Sequence, residues 1–505
     1  MARFSKRQSA AAKILAGSIV LANGQAIAQK SGTVVLAEIF GPRAGFALET
    51  DDAQILTKAG CLEMLTRVDF DGTVKPGLAT SWVQSAPTTW DFALRADVRF
   101  ADGTPVDAEA VASGLRRTLG AAAPARAFSP KLVSEIIALD DHTVRLITPA
   151  PSVLVPLRMA NPNTGILSPA AFRGNGVNPV NACTGPFNVV EDVPRQMLKL
   201  ERNEHYWGGP VGYERAELRY VPDGQVRATM VQTGEAQIAT ALPVSVFREV
   251  PKTLTVKKTE LPRTTSLYLN TAKPPFDDVR VRQAIQVGID TTAIAGSVFE
   301  GLANPATGPF APGELWAPRN ARPIAADPKK SRDLLAAAGI KPNTLKMQIW
   351  AYPERAELPD LASVLQAELG EIGIIVEVKV ASYSSLEPDL LAGKFDGVLL
   401  SRSHLTDVPD PGAFLLADYG CKGGYNLSHF CDAALDAKIN TAVALTEPME
   451  RYENYRDIAE TLQRQAVSIF LVHEQQRDAV SKSVHNFRTH PLGHYMLTKD
   501  LAPTE

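Results

Sequence analysis

Hydrophobic and polar positions alternate most regularly in the second half of the chain. Leu345, Met347 and Ile349 alternate with Lys346 and Gln348, the period of two expected of a half-buried strand. After a polar stretch at 351–360, Leu361, Val364, Leu365, Leu369 and Ile372 recur at helical spacing and share one face. Gly373 stops that helix, and Val376, Val378 and Val380 alternate with Glu377 and Lys379 as a second strand. Residues 344–380 therefore predict a strand–helix–strand unit, which a helix at about 384–393 and a strand at 395–402 extend. Crossovers through helices imply parallel strands.

Parallel strands fix where a ligand would lie, because open α/β sheets bind outside the carboxyl ends of their strands. Two loops qualify. Residues 351–360 carry Tyr352, Glu354 and Arg355, and residues 403–414 carry His404, Asp407 and Asp410. Elsewhere, Asp278 is placed to cap a helix with Val281, Ala284, Ile285 and Ile289 on one face, and Asp327-Pro328 starts a helix ending near Gly339. Tyr452, Tyr455, Ile458, Ala459 and Leu462 stripe a late helix and read as core. The first half is strand-rich, with runs such as Trp90–Leu94 and Val144–Ile147 between Gly, Pro and Asp turns.

The N-terminus has a different pattern. Arg3, Lys6, Arg7 and Lys13 lead into an apolar run from Ile14 to Ala22 that ends in Ala26-Ile27-Ala28, the layout of a secretory leader with a mature start near Gln29. The run is shorter than the ~20 residues of a membrane span, and no later segment has 18 consecutive apolar residues. No cysteine follows the expected cleavage site to carry a lipid, so free periplasmic residence is expected. Removing the leader's four basic residues takes the formal charge from −3 to −7. That leaves no basic surface for neutralising nucleic-acid phosphates. With 505 residues, 45% hydrophobic and 21% charged, the chain can build two or three domains.

Catalytic motifs occur only as fragments. His473-Glu474 begins a zinc-helix pattern, but Arg477 stands where the second histidine belongs. Gly174 and Gly176 lack the third glycine of a dinucleotide loop, and there is no Walker loop or Gly-x-Ser-x-Gly elbow. Eight scattered histidines imply no resident metal, and no cofactor or catalytic residue is expected. A secreted hydrolase, the alternative from a different class, lacks an identifiable catalytic group. Four cysteines in an exported chain favour disulfides. Cys421 and Cys431 flank Gly423-Gly424-Tyr425-Asn426 closely enough for a local bridge, which would leave Cys61 with Cys183; four cysteines allow three connectivities.

Several ordered segments carry a family resemblance. They are Glu63–Arg67, Pro76–Trp82, Trp90–Arg95, Phe100–Val106, Thr184-Gly185-Pro186-Phe187, Asn203–Trp207, Leu269-Asn270-Thr271 and Pro275–Ala284. From about residue 55 to 475 the chain is similar to the family 5 extracellular solute-binding proteins, which deliver peptides, nickel complexes, opines or other small solutes to ABC importers. Ala101 departs from the family signature, which has a histidine there.

The resemblance implies an α/β, two-lobe periplasmic-binding-protein fold of type II in its large three-subdomain form. Residues 29–60, 184–268 and 477–505 would form the core of lobe I, 61–183 an extra subdomain, and 269–476 lobe II. Hinge crossings are expected near Leu269-Asn270 and Val472–Glu474. The implied partners are an ABC permease and its ATPase subunits, and the expected state is a monomer. Asp407-Val408-Pro409-Asp410-Pro411 matches the loop whose first aspartate meets a peptide α-amine, and Arg355 lies where dipeptide binders place an arginine for the carboxylate. A Cys421–Cys431 bridge resembles a local disulfide of those relatives. Thr184, Gly185, Asn270 and Tyr425 complete the expected ligand lining. His404 replaces the tryptophan of peptide binders, and Arg402 resembles an arginine of nickel-complex binders. A metal–chelator complex or an opine is therefore the alternative ligand.

Overall fold

The structure, a computed structural model, describes residues 32–174, 176–243, 251–355 and 357–504. The expected leader and its cleavage site lie outside these residues. No described helix is long and apolar enough to cross a membrane.

The predicted βαβαβ unit is present as strand Leu345–Ala351, helix Glu357–Glu371, strand Ile374–Val380, helix Tyr383–Leu391 and strand Gly397–Ser403. The helix Glu357–Glu371 buries Leu358, Leu361, Ala362, Leu365 and Leu369 against the strands. Leu345–Ala351 pairs in parallel with both other strands, Leu345 opposite Ile374 and Ile349 opposite Gly397. All three carboxyl ends therefore share one sheet edge. The helix starts follow the predicted chemistry, since Asp278 and Asp327 accept bonds of 2.8 Å from the backbone N–H of Arg280 and Lys330. Each satisfies a donor that a helix N-terminus would otherwise leave orphaned.

The unit continues through two long strands. Gly397–Ser403 pairs antiparallel with Leu254–Leu269, which in turn pairs antiparallel with Ser468–Ser481. The sheet then runs on through Ile238–Ala239, Thr33–Glu38, Arg215–Tyr220, Met197–Arg202 and Phe187–Val193, with Ala303–Pro305 joined to Ser468–Ser481. Register is kept from Leu254↔Ser481 to Glu260↔Gln475, breaks between Glu260 and Thr264, and resumes at Thr264↔His473. Pro262 lies in the break and has no N–H to donate, so the ladder cannot run through it.

Separate cores flank this break. One gathers Leu36, Phe187, Leu200 and Leu218, and the other gathers Leu267, Leu269, Ile349, Leu361 and Leu399. Leu269 is fully buried inside the second core, so the strand has already entered that core before the expected crossing at Leu269-Asn270. The register breaks around Pro262, opposite His473–Gln475, and shifts again between Thr265 and Ser266, both before the strand enters the second core. A third core packs helix Ala108–Leu119 on a four-stranded sheet in the order Ala79–Ala86, Thr89–Leu94, Thr143–Ile147, Glu135–Asp140. A fourth contains Tyr455, Ile458, Ala459 and Leu462 of helix Pro448–Arg464, the expected core stripe. Both disulfides form, Cys61–Cys183 and Cys421–Cys431, each with Cα atoms 4.7 Å apart.

Candidate ligand-binding site

The shared carboxyl edge brings together side chains from three strands and the loops that leave them. Arg355 follows Leu345–Ala351. Its Nε donates to Glu357 Oε1 at 2.8 Å and its Nη2 to Glu474 Oε2 at 2.5 Å. Burial pulls the Arg355 pKa down, but Glu474 and Glu357 outweigh it and the net direction is up. Glu474 is buried, and its other oxygen accepts from Thr265 Oγ1 at 2.7 Å and from the Ser401 hydroxyl. The backbone N–H of Ser401 points at Tyr352 Oη, 3.4 Å away, and the Tyr352 ring meets Tyr383 edge-on.

Arg263 joins this group from the neighbouring antiparallel strand, where it faces Ser403. Its Nη1 donates to the Ser401 carbonyl at 3.0 Å and to Ser401 Oγ at 3.2 Å. Burial lowers its pKa, opposed by the Glu474 charge and reinforced by Arg355 and Arg402. Sequence reasoning missed Arg263. Only the register of Leu254–Leu269 on Gly397–Ser403 places it here, and that pairing has no local signal.

Arg402 is fixed on both sides. Its Nε and Nη2 each donate at 2.9 Å to the fully buried Asp418, and its guanidinium lies 4.6 Å from the Tyr425 ring centre. Tyr425 in turn touches the Tyr383 hydroxyl with its own. His404 is buried against Phe310 and Phe414, and its Nε2 lies 2.5 Å from Glu314 Oε2. Glu314 also accepts from Trp316 Nε1 and the Ala311 N–H, both at 2.8 Å. His404 therefore presents its ring to protein rather than to a cleft.

Asp407 stands at the open side of the edge, with its side chain 38% exposed. Arg126 and Asn161 reach it there. Arg126 Nη2 lies 3.3 Å from Asp407 Oδ1, and Asn161 Nδ2 donates at 3.2 Å to the carbonyls of Thr406 and Asp407. Arg158 is buried nearby, which lowers its pKa, and Asp407 and Asp410 partly offset that. Asp410 itself is fully buried. It accepts from Gly412 N and Tyr455 Oη at 2.8 Å and from Arg451 Nε at 2.9 Å.

Three expected lining residues lie elsewhere. The Thr184 and Gly185 N–H groups donate to the Cys61 carbonyl at 3.2 and 3.0 Å, and a Cβ on Gly185 would lie 2.3 Å from the Gly60 carbonyl oxygen. The close approach is to neighbouring chain, and Thr184 is fully buried. Asn270 is also buried. Its Nδ2 holds the Gly393 and Phe395 carbonyls at 2.8 and 3.1 Å, and its N–H donates to the Asp396 carbonyl. That position precedes the amino end of Gly397–Ser403, at about 3.3 Å per residue roughly 20 Å from the carboxyl edge.

Residues 73–426 match the bacterial extracellular solute-binding proteins, family 5 Middle. Among characterised proteins, the chain is 29% identical over 454 residues to di/tripeptide-binding protein 2 of Pseudomonas aeruginosa (strain UCBPP-PA14), covering 83% of this chain and 85% of that one. It is 27% identical over 436 residues to the probable D,D-dipeptide-binding periplasmic protein DdpA of Escherichia coli (strain K12), covering 83% of each. Among solved structures, the nickel ABC transporter from Bacillus halodurans superposes with a TM-score of 0.84 at 27% identity, over 93% of this chain and 100% of that one. These relatives are solute-binding and transport proteins. With more than half of its length matched, the chain belongs to family 5 of the bacterial extracellular solute-binding proteins.

Proposed function

We propose that the protein is the periplasmic receptor of an ABC importer, and that it captures a small peptide-like zwitterion and presents it to a permease and its ATPase subunits. It is exported by a leader removed near Ala28 and binds without turnover. The observation that carries this reading is one sheet edge whose strand ends gather the guanidiniums of Arg263, Arg355 and Arg402 and whose following loop carries a partly exposed carboxylate, Asp407. A free amino acid or short peptide needs one counter-charge of each sign in one cleft. Relatives that bind di- and tripeptides support the same class.

The core around Leu36 and Phe187 acts as one lobe with 61–183 as its subdomain, and the core around Leu267 and Leu361 acts as the other, so that the boundary lies at the register break rather than at 268/269. They turn about the break at Pro262 and the facing His473–Gln475. Such closure gives a membrane partner a bound shape to recognise.

The likeness to the Bacillus halodurans nickel transporter favours a second reading, a metal–chelator complex. Against it, Arg402 is committed to Asp418 and His404 to Glu314. Native mass spectrometry of freshly purified protein tests the two. A co-purified peptide mass supports the first reading, and a mass with the nickel isotope pattern replaces it with the second.

A further inference from the structure

The three arginines at the strand ends differ in what they have left to give. Arg355 has its Nε and Nη2 on two carboxylates, Glu357 and Glu474, so another carboxylate approaching it would meet two negative charges for one positive. Arg402 is bidentate on the buried Asp418 and is covered on one face by Tyr425. Arg263 donates only through Nη1, and to neutral oxygens of Ser401. Among the described residues no carboxylate lies within 4 Å of Arg263. Glu474 reaches it only by way of the Ser401 hydroxyl, which donates to Glu474. Arg263 is half-buried, not sealed.

We infer that Arg263, not Arg355, takes the ligand's carboxylate, and that Arg355 is a positioning residue that pins Glu474 to the sheet edge. The inference rests on the zwitterionic reading above and adds which cation sets selectivity for a free C-terminus. A guanidinium forms paired bonds to a carboxylate through donors on two nitrogens, and Arg263 is the strand-end arginine whose Nε and Nη2 are not already on a carboxylate. The ordering also explains the double clamp on Arg355. With Glu357 and Glu474 neutralising it, the one of these three arginines that has no direct counter-charge among the described residues lies a strand away, fixed by Ser401.

The test is calorimetric titration of the full chain with Ala-Phe and Ala-Ala-Phe and with their C-terminal amides. The wild type should prefer the free acid over the amide by about 30-fold or more, the range for removing one partner of a buried charge pair. Arg263→Gln should bring that ratio to near one, and Arg263→Lys should restore part of it. Arg355→Gln should weaken acid and amide together and leave the ratio intact. If Arg355→Gln abolishes the ratio while Arg263→Gln keeps it, with unchanged melting temperatures, the inference is overturned and Arg355 is the carboxylate partner. Equal binding of acid and amide by the wild type also overturns it. Failure of the wild type to bind any of the four peptides removes the zwitterionic reading as well.

Discussion

Asp407 and Asp410 stand three positions apart in one loop and are held in opposite ways. Asp407 is partly exposed and its carboxylate meets the exposed Arg126. In a closed, water-poor cleft, Asp407→Ala would leave a ligand amine without its partner, which typically costs about 2–5 kcal/mol. Calorimetry should then show roughly 30- to 4000-fold weaker peptide binding at an unchanged melting temperature. Asp410→Ala should do the reverse. It strands Arg451, whose side chain is 3% exposed, and removing one member of such a buried pair costs about 3–5 kcal/mol of stability in denaturant titration. Equal melting temperatures for the two variants would contradict both assignments. Glu63 gives a third residue-scale expectation. It accepts from Tyr206 Oη at 2.8 Å and Trp207 Nε1 at 2.9 Å, and burial pushes its carboxyl up to about 7. A carboxyl whose pKa rises on folding holds its proton longer in the folded chain. Its contribution is therefore complete below its ordinary value of 4.5 and is lost as pH climbs to about 7. Glu63→Gln copies the protonated form, so its stability relative to wild type should grow across that window, by about 1–2 kcal/mol after allowance for the side chain's partial contact with water. Parallel pH curves would show that Glu63 titrates normally.

At the scale of elements, the two disulfides close loops of very different size, 122 and 10 residues apart in sequence. In the chain-entropy account this makes Cys61–Cys183 worth about 5 kcal/mol and Cys421–Cys431 about 3 kcal/mol. Paired serine substitutions compared by chemical denaturation should rank in that order, and the reverse order would mean that native-state contacts set the cost. The elements also show why some of the fold was legible and some was not. Leu345–Val380 could be read because period two and helical period succeed one another within a single unit. The edge it creates could be read because parallel strands share a direction. The partner strand Leu254–Leu269 could not be placed from its sequence, since pairing across more than a hundred residues is set by three-dimensional packing. Arg263 stayed hidden with it. Thr184-Gly185 misled for a related reason: a small residue at a close approach has the same appearance whether the neighbour is a ligand or, as here, the Gly60-Cys61 backbone. Asn270 misled because a buried amide that ties a turn looks like one that awaits a ligand.

For the whole molecule, the two strands that cross the register break form a continuous path between the cores, and turning there would require little disruption because the Pro262 nitrogen donates no ladder bond to Ser468–Ser481. Small-angle scattering should show a smaller radius of gyration with bound peptide than without, and an unchanged profile at saturation would mean that recognition needs no movement of the lobes. The same path has a consequence for how the protein is made. Ser468–Ser481 lies in the interior of the sheet, between Ile238–Ala239 and Leu254–Leu269, although it comes late in the chain. Until it has been synthesised, the sheet exists as two pieces with an unpaired edge on each, and such edges readily pair with other chains. A ribosome that has reached residue 467 has thus produced nearly all the buried surface and none of the strand that joins it. The nascent polypeptide therefore cannot complete its sheet until synthesis is almost finished, a delay that would suit the export proposed above.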